Sequence, residues 1–149
     1  MSAQKLKTNE LLQRLLRTTS VSRFIKRYDD YMDDTPFHTY LKAQCDKRGL
    51  STAHVIAAST IDRRYGYHIF EGKKNPSRDK VLLLAFGLGM DYRETQELLK
   101  MARKSALYPK ILRDTVIIQG LEHGLPLREV QDALAELSQP TLGKEGRYE

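Results

Sequence analysis

The chain has no tryptophan, a single cysteine, and no apolar run near the roughly 20 residues needed to cross a bilayer. Lone Cys45 has no partner for an intramolecular disulfide. It falls at an apolar helical position, so it reads as a small core residue in a reducing cytoplasm. No signal-peptide apolar segment opens the chain, and a membrane role is not expected. Strand-like alternation is missing throughout, as are the glycine-rich phosphate loops that follow strands. His38, His54, His68 and His123 have no Cys, Asp or Glu at ligand spacing, which argues against a metal. No serine or cysteine has a base partner, so neither catalysis nor a cofactor is expected.

What is present is enough apolar residue, 40% of 149, to bury a real core, together with a net charge of +6. That charge is unevenly placed. Residues 1–34 carry seven basic and five acidic side chains, and residues 35–78 carry eight and three. Residues 79–105 carry five and four, and residues 106–149 carry five and seven. Affinity for a polyanion is therefore implied for the middle of the chain, where the excess is +5.

Helical periodicity runs through the sequence in order. Thr8 can cap a helix with Leu11, Leu12, Leu15 and Leu16 in one stripe, and Ser20 or Ser22 can start a second with Val21, Phe24, Ile25 and Tyr28. Tyr31-Met32-Asp33-Asp34 spells a reverse-transcriptase metal site, but two metals need a third carboxylate and a hairpin in a much larger domain. The segment reads instead as an acidic linker whose Asp34 or Thr35 caps a helix with Pro36 in its first turn. Phe37, Tyr40, Leu41 and Cys45 follow on one face up to Gly49. Ser51 caps a short helix with Val55 and Ile56. After Ser59-Thr60, the stretch Ile61 to Arg78, IDRRYGYHIFEGKKNPSR, combines a basic helix with a basic loop. Ser77 starts a further helix carrying Val81, Leu82, Leu84, Ala85 and Leu88 and ending at Gly89, and Asp91 with Glu94 forms a capping box for the next.

The last two helices repeat these two. Arg78 aligns with Arg113, Asp79 with Asp114, Val81 with Val116, Gly89 with Gly124, Glu94 with Glu129, Gln96 with Gln131 and Leu99 with Leu134, all at an offset of 35. A looser third copy spans Leu41, Gly49 and Val55, and so few units point to a compact bundle rather than a solenoid. The sequence organises into an N-terminal helical pair at 1–34, a central unit at 35–105, a C-terminal helical hairpin with Ile111, Val116, Ile117, Leu121, Val130, Leu134 and Leu137 at 106–137, and a tail at 138–149 expected to be disordered.

From about Tyr40 to Leu99 the sequence resembles the Xre/Cro/lambda-repressor-like helix-turn-helix regulators. The resemblance rests on the GLS start of a second helix, apolar Ile61 in the turn, the Ile69-Phe70-Glu71-Gly72 end of a third helix, and the Lys-Lys-Asn-Pro-Ser loop. It implies an all-α fold: a five-helix helix-turn-helix unit with an N-terminal helical pair and a C-terminal hairpin that repeats helices four and five. It further implies that a helix over about 62–71 enters the major groove of double-stranded DNA with Arg63 and Arg64 reading bases, followed by Tyr65 and His68 on the exposed side. Ser51 and Thr52 would face phosphate, and Lys73, Lys74 and Asn75 would hold the next phosphates. Three positions depart from the family pattern. Ile56 stands where a small residue is usual, Thr60 where glycine is, and Gly66 where an apolar residue is. Tyr67 is expected to turn inward into the space that Gly66 leaves.

The function so implied is a cytoplasmic, sequence-specific DNA-binding transcriptional regulator, with a homodimer on two half-sites expected. The alternative is a non-catalytic protein-interaction module, an adaptor or anti-repressor that docks a kinase, toxin or phage protein through the C-terminal or N-terminal helices.

Overall fold

A computed structural model describes residues 6–143. Among these residues every regular element is helical. They are α1 (Thr8–Arg17), α2 (Val21–Arg27), a 3₁₀ turn (Asp29–Tyr31), α3 (Phe37–Lys47), α4 (Thr52–Ala58), α5 (Arg63–Phe70), α6 (Arg78–Leu88), α7 (Tyr92–Met101), α8 (Leu112–Glu122) and α9 (Leu127–Glu136). No helix is long and apolar enough to cross a membrane. The chain divides into two compact units at the Asp34–Thr35 junction.

Side-chain caps mark many of the helix starts. Ser20, Ser51 and Ser77 accept hydrogen bonds from the amides of Arg23, His54 and Lys80 at 3.3, 3.1 and 3.2 Å. Asp91 and Glu94 complete both bonds of their capping box, at 2.9 and 3.1 Å. Other starts differ from expectation. Thr8 is the first residue of α1 and does not cap it. Pro36, rather than Asp34 or Thr35, holds the cap position of α3, because its fixed φ of −61° suits the entry and its missing N–H is needed by no helical partner. Ile111 precedes α8 and is 50% exposed.

In the first unit Phe24 and Tyr28 are buried, with ring centroids 4.7 Å apart. Leu12, Leu15, Leu16, Val21 and Ile25 stay exposed.

In the second unit α6 is central. Val81, Leu82, Leu83, Leu84, Ala85 and Leu88 are all buried, so the helix is apolar on nearly every side, as an enclosed helix must be. Cys45 is fully buried in the same core, and burial pushes its thiol above the ordinary value. One glycine sets how α4 meets α6. A Cβ on Gly87 would lie 2.0 Å from Ser59 Oγ and 2.8 Å from the Val55 carbonyl oxygen, so α4 rests directly on the α6 backbone.

The repeat closes on itself through two crossed ion pairs. Arg78 Nη1 and Nη2 donate to Asp114 Oδ1 and Oδ2 at 3.2 and 3.0 Å, and Arg113 Nη1 and Nη2 donate to Asp79 Oδ1 and Oδ2 at 2.9 and 2.7 Å. Each arginine also donates to two carbonyls after its own hairpin. Arg78 reaches Ser105 and Ala106, and Arg113 reaches Pro140 and Thr141. Each aspartate accepts one further amide, Asp114 from Tyr108 and Asp79 from Gly143. Every one of these contacts has its counterpart at the offset of 35 with the two hairpins exchanged, the reciprocity of a two-fold relation. An open stack would instead leave one arginine and one aspartate facing outward.

The same pairing corrects the expected disorder of 138–149. Gln131 donates to the Leu142 carbonyl at 2.9 Å and accepts from its amide at 2.7 Å, as Gln96 does with Leu107 at 3.1 and 2.8 Å. Leu142 is therefore buried, and residues 139–143 are packed rather than loose. Low periodicity in the sequence hid this, because the segment is held by side-chain bonds to its backbone. Residues 144–149 of the expected tail lie outside the described residues.

Asp114 is 1% exposed, so Asp114→Ala should leave Arg78 without its charge partner and cost about 3–5 kcal/mol in denaturant unfolding. Asp46→Ala, which removes an exposed pair with Lys42, should cost about 0–1 kcal/mol. Equal losses would refute the structural weight given to the crossed pairs. A stop codon after Ser138 should also destabilise, since it removes Leu142 and uncovers Asp79, at a cost of about 2 kcal/mol or more.

Candidate nucleic-acid interface

α4 and α5 are joined by a tight turn. Ser59 is buried and its hydroxyl donates to the Val55 carbonyl at 2.6 Å, which anchors the end of α4. Thr60 adopts φ +58°, the left-handed conformation that glycine takes without strain and a β-branched residue resists. Ile61 then enters the core at 7% exposure, and the Asp62 carboxylate caps α5 by accepting the Tyr65 amide at 3.1 Å. The chain thus makes the turn with threonine in the glycine conformation.

The other two departures are one feature. A Cβ on Gly66 would lie 2.6, 2.9 and 3.1 Å from Ile56 Cγ2, Cγ1 and Cδ1. Ile56 fills the space above Gly66, so the expected inward turn of Tyr67 is not what occupies it. A large residue on α4 and none on α5 replace the opposite arrangement, and the helices stay in close contact.

The outer face of α5 follows from its period. Gly66 and Ile69 are buried, which leaves Arg64, Tyr67, His68 and Glu71 at i, i+3, i+4 and i+7 toward solvent, with Arg63 at their edge. Arg63, Arg64, Tyr67, His68 and Lys73 line one open concavity with Asp62 and Glu71. Arg63 stacks on Tyr67, its guanidinium carbon 5.9 Å from the ring centroid. Tyr65, expected on this face, packs instead against the core with Lys80 Nζ 5.2 Å from its ring centroid. Tyr67 takes its place outside. The helical spacing from Arg64 identifies Tyr67, whereas adjacency to the arginines points to Tyr65.

Of the other expected residues only Lys73 joins this concavity; Ser51, Thr52, Lys74 and Asn75 do not line it. Ser51 is exposed and its side chain is occupied as the α4 cap; Thr52 is half-buried. Lys73 and Lys74 both donate their amides to the His68 carbonyl, at 2.9 and 3.2 Å, so the basic loop is tied to the end of α5. Lys73 Nζ lies 3.4 Å from Glu71 Oε1. Lys74 and Asn75 line a separate hollow with Pro36, Phe37, His38, Ile69 and Gly72.

α5 begins with two arginines directly after its Asp62 cap and, like α2, α3 and α4, has no acidic residue in its first turn. Cations at a helix N-terminus oppose the macrodipole by about 0.3–1 kcal/mol each. Among the described residues no group of three His, Cys, Asp or Glu could hold a metal ion. Comparison with models of known protein families, with curated proteins and with solved structures finds no match to this chain.

Gly66→Ala should cost about 1–3 kcal/mol by overpacking against Ile56, and Ile56→Ala about 2–5 kcal/mol by leaving a cavity. The double variant should lose at least about 1 kcal/mol less than the two together, since each change relieves the other. Additive losses in urea unfolding would disprove the exchange. Thr60→Gly should raise stability by about 0.5–1 kcal/mol, as strain relief outweighs the added freedom of the unfolded chain.

Proposed function

We propose that α3 to α7 form a lambda-repressor-like helix-turn-helix unit that binds double-stranded DNA, with α5 as the recognition helix of a transcriptional regulator. The observation that carries this reading is the pair Arg63–Arg64, exposed at the N-terminal end of α5 on one concavity with Tyr67, His68 and Lys73. A guanine edge would suit that placement, because a guanidinium makes two hydrogen bonds to guanine O6 and N7. Tyr67 and His68 extend the same face, and Lys73, Lys74 and Asn75 supply phosphate contacts at its end. The basic excess of residues 35–78 supports it, as does the resemblance in the GLS, Ile61 and Lys-Lys-Asn-Pro-Ser positions. The protein acts here by binding alone, without a cofactor.

One observation favours docking of a protein partner as a second reading. Val116, Leu125, Val130 and Ala133 line a hollow of about 300 Å³ between α8 and α9. Val130 is itself buried, but Val116 and Ala133 are half-buried and Leu125 is exposed, whereas their counterparts in the first hairpin, Val81, Met90 and Leu98, are buried. There Lys80 meets Tyr65 of α5 and Glu94 pairs with Arg48 beside α3. Thr115 and Glu129 hold the equivalent places at the α8–α9 hollow.

Selection from random-sequence duplexes should enrich one motif. Binding to it should weaken steeply with salt, and Arg63→Ala or Arg64→Ala should cost about 1–3 kcal/mol and relax preference at one base pair. If no motif is enriched and both variants bind all duplexes as the parent does, α5 is not a reader and the docking reading takes its place.

A further inference from the structure

We infer that the N-terminal two-helix unit carries an anion site of its own, built for a multiply charged phosphoryl group. Arg14, Arg17, Arg23 and Arg27, with Thr18, Phe24 and Tyr28, line a hollow of about 360 Å³; among the described residues no acidic side chain is on that lining, and Glu10 acts on Arg14 from outside it. The cluster is organised by one buried ring. Tyr28 is 8% exposed and is flanked by Phe24 at 4.7 Å and, edge-on, by Tyr31 at 5.6 Å between ring centroids. Its hydroxyl accepts from Arg14 Nη1 at 2.9 Å, and the Arg27 guanidinium carbon lies 5.6 Å from its centroid. Two of the four guanidiniums are therefore held in place before any ligand arrives, and a held planar fork loses little freedom on binding an oxyanion.

Arginines on an ordinary solvated face spread apart or take carboxylate partners. Around this hollow four face a common space from two helices, and a concavity lined by one sign of charge concentrates the field. A single carboxylate would neutralise one guanidinium. A phosphate or diphosphate group offers several oxygens and two or more charges, which matches paired forks from opposite sides. Two sources of that group fit the surroundings. One is a phosphorylated small molecule. The other is the headgroup of an anionic lipid, since the same unit exposes Leu16 at 69% and Val21 at 63%. The residues of the site all belong to the first unit, and its ligand need not be DNA.

Calorimetric titration of the full chain with sodium pyrophosphate tests it. Saturable binding is expected, weakened about tenfold by Arg17→Gln and by Arg23→Gln, less by Tyr28→Phe, and not at all by Lys42→Gln, a change at an exposed lysine outside both proposed sites. Circular dichroism of these variants checks that they fold. No saturable binding, or an equal loss in Lys42→Gln, overturns the proposal. Sedimentation with phosphatidylcholine vesicles containing phosphatidate separates the sources: capture that pyrophosphate reverses assigns a headgroup, and retained pyrophosphate binding without capture assigns a small ligand. If Arg17→Gln and Arg23→Gln weaken duplex DNA binding while pyrophosphate neither binds nor competes, the arginines are phosphodiester contacts and the proposal fails.

Discussion

Two crossed, bidentate arginine–aspartate pairs hold the second unit together. Arg78 with Asp114 and Arg113 with Asp79 tie the first turns of α6 and α8 to each other, and the aspartates are almost wholly buried. Burying a charged pair is favourable only when its remaining hydrogen-bonding groups are satisfied. Here each arginine also takes up two carbonyls and each aspartate one amide, and no buried side-chain polar atom among the described residues lacks a partner. The backbone groups recruited for this purpose belong to the segments after α7 and α9. Those segments are ordered because the ion pairs need them.

This closed double hairpin gives α6 fixed surroundings, and α6 in turn fixes α4. The approach of α4 is set by Gly87, where a side chain would strike the Val55 carbonyl. α5 is then placed by the left-handed Thr60 and by Ile56 lying over Gly66. The exposed face of α5 thus depends on a chain of close contacts reaching back to the core, and its own residues contribute little to stability. Arg63 and Arg64 follow the Asp62 cap and are exposed, and their neighbours Tyr67 and His68 are only partly buried. Such a face is free to serve a ligand because the fold does not need it.

Much of this was legible locally. Ser20, Ser51, Ser77 and the Asp91–Glu94 box mark helix starts because capping is decided within four residues. The apolar run of α6 announces a buried helix, and the placement of Cys45 in a helical stripe announces a core residue. What escaped was set by residues far apart in the chain. Tyr65 and Tyr67 are equivalent in composition and adjacency, and only the burial of Gly66 and Ile69 turns one inward and the other out. Ile56 and Gly66 look like two separate oddities until they are seen in contact. The order of residues 139–143 depends on Gln131, Arg113 and Asp79, the last of them 64 positions from Gly143.

The sequence by itself determined that the chain is helical, where many of its helices begin, where its basic charge lies, and that residues 78–99 recur at an offset of 35. It left open what the recurrence builds. Arg78, Asp79, Arg113 and Asp114 are the same letters whether each arginine reaches forward to the next unit in an open stack or the two units exchange partners. Tertiary structure decided for exchange. In a set of two, exchange pairs every buried charge, whereas stacking would strand one arginine and one aspartate at opposite ends.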